Sequence, residues 1–391
     1  VNSPLPSANG ATEKQRKISF KLDYQAYTLL FALVLIAVIF SVFTGGEFLS
    51  SRNISNLFTQ MSVIAVLSIG MTLIIVAGHI DLSVGSLVGL LGGIAAILQV
   101  WHGWGTIPVL LITVLAGALL GLWQGWWVAY RAVPAFIVTL AGMLVFRGIL
   151  IGISKGQTVA PMNEGFKQIG NSYLPYVPGY ILAAISIALL VYGTFRNRFK
   201  RKQLGLVVAN GFMDYGKAAV YSFFILLATY MLNRYLGIPV PIFIVLILAA
   251  IFIFVSNKTA FGRYVYAIGG NQEAAALSGI NIKWNTLWVF ISMGALAGVS
   301  GILLTSRLNA ATVSAGDMYE LDAIAACVIG GTSLMGGKGK ITGALIGALI
   351  MASIDNGMSI MNIEAFWQYI VKGLILILAV WIDISSKKNR G

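Results

Sequence analysis

The sequence predicts an all-α, polytopic integral membrane protein, and three observations carry that prediction. Of its 391 residues 58% are hydrophobic and only 10% are charged, against about 25% charged in a typical soluble chain. The chain therefore lacks the polar material to cover a surface in water. Twelve apolar runs follow one another with short polar segments between them, most of them close to the roughly 20 residues that cross a bilayer. The basic residues, which give a formal charge of +13, sit between those runs and are shared unequally among the gaps. Together these exclude an ordinary soluble enzyme and leave no room for a sizeable soluble domain.

Taken in order, residues 1–25 form a polar tail in which Lys14, Arg16, Lys17 and Lys21 precede a first run at 27–43. No small-residue cleavage pattern follows that run, which passes into Gly45-Gly46-Glu47, so it reads as an uncleaved helix rather than a secretory leader. Further runs stand at 60–78, 84–100, 107–130, 134–154, 179–195, 218–236, 240–256, 285–307, 321–335, 341–361 and 366–384, the tenth being the shortest. Threading them alternately puts nineteen Lys and Arg on one side and five on the other, Arg52, Lys155, Lys167, Arg234 and Arg307. The rule that positive loops stay inside then makes the first side cytoplasmic. An even count follows, with both termini cytoplasmic, one transmembrane domain over 26–384 and a basic tail at 385–391.

Gly117-Ala118-Leu119-Leu120-Gly121 recurs as Gly343-Ala344-Leu345-Ile346-Gly347, on runs that this threading sends in opposite directions. Inverted repeats of this kind build the sites of many transporters. Glycines spaced by four, at Gly85/Gly89/Gly93, Gly117/Gly121/Gly125, Gly294/Gly298 and Gly343/Gly347, let helix backbones approach closely. Packing inside one bundle accounts for them more simply than a dimer seam.

Ionisable groups inside a membrane are costly and are functional candidates by default. Here they are Asp81, Arg147, Asp322, Asp355 and Lys372. Asp81, in Gly78-His79-Ile80-Asp81-Leu82-Ser83, precedes an apolar run and suits either a cap or turn or a direct substrate contact. Arg147 and Lys372 can pair with the carboxylates or reach an interface. His79 and His102 lack metal-ligand spacing, and the single cysteine, Cys327, excludes an intrachain disulfide. No metal and no cofactor is expected.

The glycine-rich segment 330–340 has the look of a phosphate-binding loop but not the Gly-x4-Gly-Lys-Ser/Thr spacing that places lysine and hydroxyl on phosphate and magnesium. It reads as a flexible turn. Any work driven by ATP must be powered by another polypeptide. The polar segment 258–284 is more informative: Asn271 suits an N-cap, Glu273 a first turn, the alanines a short helix and Gly279 a left-handed stop. A helix of two turns needs something to pack against, either the lipid interface or a partner.

Gly269-Gly-Asn-Gln-Glu-Ala-Ala-Ala-Leu-Ser-Gly-Ile-Asn281 resembles the cytoplasmic coupling loop of the permease subunits of bacterial ABC sugar importers, which serve ribose, xylose and galactosides. Ile80–Ser86, Ala135–Met143 with Arg147-Gly148, Glu320–Ala326 leading into Gly330–Ser333, and Gln368–Lys372 match as well. Gly121–Arg131 and Phe366–Tyr369 are most similar to the xylose-type members, which also carry the 179–236 segment that the ten-span ribose type lacks. The resemblance implies about 12 transmembrane helices, a ten-helix family core plus a two-helix insertion. It implies a homodimer in the inner membrane, importing a pentose by alternating access, with a periplasmic sugar-binding protein, a separate cytoplasmic ATPase, and neither catalysis nor nucleic-acid binding of its own. By match to the loop, Gly270, Asn271, Glu273, Ala274, Ala275, Ser278 and Gly279 are expected to dock on the ATPase.

The sugar's path is expected among Asp81, Trp123, Gln124, Trp126 and Asp355, since a sugar offers hydroxyls and an apolar ring face. With Arg131 beside them, the tryptophans equally suit an aromatic belt at the interface. A proton-coupled secondary transporter, using Asp81 or Asp355 as a relay, is the alternative reading.

Overall fold

The computed structural model describes residues 24–205 and 211–388. Residues 1–23 of the sequence-predicted amino-terminal tail and the last residues of the carboxy-terminal one lie outside them, and Tyr24 and Gln25, expected in the tail, begin the first helix. Helices dominate: α1 (Tyr24–Phe43), α2 (Ser51–Val76), α3 (Val84–Ala96, continued by a π turn at Ile97–Trp101), α4 (Thr106–Arg131), α5 (Ala135–Ser154), α6 (Glu164–Asn171), α7 (Tyr176–Gln203), α8 (Gly211–Asn233), α9 (Val240–Lys258), α10 (Ala260–Gly270), α11 (Gln272–Leu277), α12 (Ile282–Leu308), α13 (Tyr319–Ile329), α14 (Ile341–Ile360) and α15 (Ala365–Lys388). Two short strands, β1 (Tyr173–Leu174) and β2 (Ile238–Pro239), pair antiparallel and tie the start of α7 to that of α9. Among the described residues nine helices are long and apolar enough to cross a membrane, with shorter apolar helices at Thr28–Phe43 and Ala365–Trp381.

Every apolar run falls on a helix, and the departures have local causes. α2 starts at Ser51 rather than near 60, because Ser50 accepts the Asn53 N–H at 3.2 Å and Asn53 itself is buried against α14. There the Asn53 and Asn356 side-chain amides exchange two hydrogen bonds, of 2.8 and 3.0 Å. The run at 321–335 is corrected to an eleven-residue helix, α13, that ends in a turn at Gly330-Gly331, where Gly331 has φ of +87°. α7 extends past the run ending at 195 through the basic stretch to Gln203, and α15 continues through Lys388, so the tail expected from 385 begins later. The turn at 330–340 is not loose: Ser333 N–H donates to the Lys338 carbonyl at 2.8 Å and Gly337 N–H to the Val76 carbonyl at 2.9 Å.

α2 is the centre of the bundle, buried along almost its whole length. Two units of similar connectivity, α2–α5 and α12–α15, pack together, each with a long helix, an extended break (77–83 and 309–318) and three further helices. They interlock: α4 and α3 of the first pack on α12, while α14 and α13 of the second pack on α2. Gly117 lies against Gly294 and Gly125 against Leu287, so α4 and α12 are antiparallel. Gly70 beside Met293 and Ser300 beside Val63 make α2 and α12 antiparallel, and Asn53 beside Asn356 does the same for α2 and α14. Hence α4 and α14, which carry the repeated Gly-Ala-Leu motif, run in opposite directions. Both glycine stripes are used inside the chain, for a Cβ at Gly117 or Gly121 would overlap α12 and one at Gly343 or Gly347 would overlap α13.

The end of the bundle that carries α10 and α11 is termed basal here, and the end carrying α6 and the strands apical. Arg131, the basic end of α7, Lys258, Lys283, Lys338 and Lys340 belong to basal termini and turns, and Arg52, Lys155, Lys167, Arg234 and Arg307 to apical ones. Among the described residues, the two groups separated by the sequence threading thus occupy opposite ends.

Candidate functional site

The basal surface is built from two short helices where the sequence suggested one. Thr259 caps α10 by accepting the Gly262 N–H at 3.2 Å. Asn271 ends α10 and caps α11, its side chain accepting the Ala274 N–H at 2.9 Å. Gly279, at φ +79°, terminates α11 in the left-handed region, with its N–H donating to the Ala276 carbonyl. Asn281 then caps α12 through the Trp284 N–H at 2.9 Å. Of the residues expected to dock, Gly270, Asn271, Glu273, Ala274, Ser278 and Gly279 are exposed, whereas Ala275 is buried and seats the helix on the bundle. Leu277, which the sequence did not single out, is 91% exposed at the end of α11. An apolar side chain so placed in a polar segment is the signal that marks it.

Three backbone approaches connect this surface to the bundle. Gly269 lies so close to the Val76 carbonyl at the end of α2 that any Cβ would overlap that oxygen. Gly336 and Gly337, both with positive φ, pack on Gly269 and Gly270. The Tyr266 hydroxyl donates to the Gly339 carbonyl at 2.8 Å, and burial pushes its pKa above the ordinary value, so it stays a donor. The basal surface, the end of α2 and the turn before α14 therefore form one contact set, made of close backbone approaches and the Tyr266 hydrogen bond.

Farther in, Lys372 of α15 meets Asp322 of α13 and Asp355 of α14, each at 2.9 Å. Both carboxylates are buried, and their second oxygens have no partner among the described residues. Arg147 pairs elsewhere: its guanidinium donates to the Val313 and Ala315 carbonyls and lies 3.3 Å from Asp317, pinning the extended break before α13 to α5.

Asp81 lies in the other break. Its Oδ1 accepts the Ser83 N–H at 2.9 Å and the Ser83 hydroxyl at 2.6 Å, an Asx turn, so the turn reading applies rather than a cap within α3. The Gln124 amide donates to the same hydroxyl at 2.8 Å, which joins Asp81, Ser83 and Gln124 in one buried chain. Trp123, Trp126 and Trp127 are exposed on the outer side of α4. Arg131 stacks over the Trp126 ring at 4.6 Å, and Trp123 meets Phe146 edge-on at 6.2 Å. The five residues expected on a sugar path are thus split among a buried polar chain, a buried ion cluster and an outer aromatic face.

Residues 53–380 match the family model described as branched-chain amino acid transport system / permease component. The chain belongs to that family. It is 50% identical to the xylose transport system permease protein of Escherichia coli K12, over 94% of each chain. The corresponding protein of Haemophilus influenzae is 52% identical over 95% of this chain and the whole of that one. The ribose import permease protein of Escherichia coli K12 is 35% identical over 91% and 92% of the two chains. No solved structure matches. With its apolar helices, the family member described here is a polytopic protein of the bacterial inner membrane.

Proposed function

We propose that this chain is the permease subunit of an ABC importer that moves a pentose, D-xylose, from periplasm to cytoplasm by alternating access. The observation that carries it is the identity of 50% and 52% with two xylose permeases over essentially the whole chain. The charge distribution supports a cytoplasmic basal end, which gives twelve membrane segments with both termini inside. α13 and its extended break make the tenth, and α7 and α8 are a two-helix insertion. In this reading residues 26–384 form one transmembrane domain between a 1–25 tail and a short basic carboxy-terminal tail.

The chain works as a homodimer, fed by a periplasmic sugar-binding protein, and hydrolyses no ATP itself. A cytoplasmic ATPase docks on residues 258–284, through Gly270, Asn271, Glu273, Ala274, Ser278 and Gly279, while Ala275 holds α11 to the bundle. Closure of the ATPase then reaches α2 and α14 through Gly269, Gly336 and Gly337. Of the residues assigned to the sugar's path, Trp123 and Trp126 lie on an accessible face, with Asp81, Gln124 and Asp355 supporting the helices behind it.

Affinity capture of the tagged chain from its native membrane tests the partner assignment. Wild type should retain an ATPase subunit, and a Glu273→Ala/Gly279→Val variant should lose it while still inserting in the membrane. Xylose uptake that continues when the proton gradient is collapsed with ATP maintained supports the reading; uptake that stops at once returns it to a proton-coupled carrier.

A further inference from the structure

The break before α13 is laid backbone to backbone on α3. A Cβ at Gly85 would overlap the Gly316 carbonyl, and one at Gly89 the Ala315 carbonyl. Ala315 and Gly316 are buried by that contact, and Ser314 and Asp317 on either side of them are exposed. From α5 the Arg147 guanidinium donates to the Val313 and Ala315 carbonyls and lies 3.3 Å from Asp317 Oδ1, which fixes the turn a second time. The Thr312 and Ser314 hydroxyls stand 3.3 Å apart beside it. One carboxylate, two hydroxyls and a guanidinium thus share one wall.

Depth gives this wall its meaning. Arg147 lies twelve residues past the basal start of α5 and seven before its apical end, about 18 Å and 10 Å at 1.5 Å per residue. That is well inside a hydrocarbon core of ~30 Å. Yet the ion pair is not sealed in the bundle, for the Asp317 side chain is 64% exposed and that of Arg147 22%. The α5 residues a turn to either side, Leu144 and Ile151, are exposed and apolar. A carboxylate open to acyl chains at that depth is costly, and ionisable groups in membrane segments turn instead to the bundle interior or to a water-filled cavity. Asp317 is not in the interior, so the space it faces holds water. A pentose matches the chemistry of that space: it is neutral, so the ion pair need not break, and its hydroxyls can donate to the second Asp317 oxygen.

We propose that residues 312–317 line the sugar's path, with the Asp317 carboxylate accepting from the sugar's hydroxyls, Thr312 and Ser314 exchanging hydrogen bonds with them, and Arg147 as the positioning residue that holds the turn. The contact with sugar rests on the permease reading above.

Thiol labelling in right-side-out and inside-out membrane vesicles carrying the whole transport system tests it. The single cysteine of the chain, Cys327, is fully buried, so wild type is the unlabelled reference. Ser314→Cys should react with a membrane-impermeant sulfonate thiol reagent, from one side or the other, at least tenfold faster than Ile185→Cys, an exposed apolar position on α7. Equal rates overturn the proposal, because the turn would then face lipid or be covered by a second copy. Asp317→Asn separates sugar contact from folding: xylose uptake per inserted protein should fall at least fivefold, while ATP hydrolysis evoked by the sugar-loaded binding protein stays within twofold of wild type. A parallel fall in both makes Asp317 structural and overturns its contact with the sugar. Absence of xylose uptake by wild type counts against the permease reading alone, since the labelling ratio still decides whether 312–317 face a water-filled path.

Discussion

Lys372 Nζ stands 2.9 Å from Asp322 Oδ2, joining the last helix of the chain to the shortened helix α13. The same ammonium is 2.9 Å from Asp355 on α14, so one positive charge holds three helices of the second unit together. Removing one partner of a buried ion cluster leaves an uncompensated charge, a loss of about 3–5 kcal/mol. Lys372→Met should therefore lower the thermal midpoint of the detergent-solubilised protein sharply. Neutralising all three positions, with Asp322→Asn and Asp355→Asn added, should recover much of that loss. If the single variant melts like wild type, the cluster is not what fixes α13.

Gly269 and Gly270 are adjacent and differ in their surroundings. A Cβ at Gly269 would overlap the Val76 carbonyl, while one at Gly270 meets nothing within 4 Å. Gly269→Ala should push α10 away from α2, costing about 1–3 kcal/mol as overpacking does, and should suppress uptake. Gly270→Ala should melt like wild type, so any uptake it loses would be lost at the partner surface. Measuring uptake and thermal midpoint for both separates the two effects; equal behaviour would show that the Gly269 contact transmits nothing.

The parts of this architecture that depend on local chemistry were legible in the sequence. Asn271 and Gly279 announce their cap and left-handed stop because a side-chain carbonyl near free N–H groups, and a residue without Cβ, have few other uses. The Gly117 and Gly343 motifs marked helices that do run in opposite directions, since only small residues allow backbone contact there. What stayed hidden depends on tertiary register. Lys372 meets Asp322 from fifty residues away, and no spacing along the chain predicts it. Gly269 looks like its neighbour until the end of α2 is placed beside it. The split between Gln124 and the tryptophans follows helical periodicity, but which face would be buried depended on where Ser83 lay.

Leu277 offers a test of docking that spares the fold. It is 91% exposed, and its side chain takes no part in the capping of α11 by Asn271, so its substitution should shift stability by about 0.5 kcal/mol or less. Leu277→Ser should therefore leave the thermal midpoint unchanged yet weaken capture of the ATPase and reduce uptake. Retention of the ATPase at the wild-type level would place the contact elsewhere on the basal surface.

Asp81 separates a structural carboxylate from one that meets the sugar. Its Oδ1 accepts two hydrogen bonds from Ser83, and Ser83 in turn holds Gln124, so Asp81→Ala strips a buried turn of its acceptor at a cost of about 1–3 kcal/mol. Asp81→Asn keeps an acceptor oxygen in that place and should recover most of the stability. If the residue only shapes the break between α2 and α3, both variants should transport the same sugars in the same order of preference, the alanine variant at a lower level set by its abundance in the membrane. A shift of preference in the well-folded asparagine variant would instead mean that the free Oδ2, which has no partner among the described residues, turns toward the sugar during transport. Competition between xylose and ribose for uptake, normalised to the amount of protein inserted, decides between these outcomes.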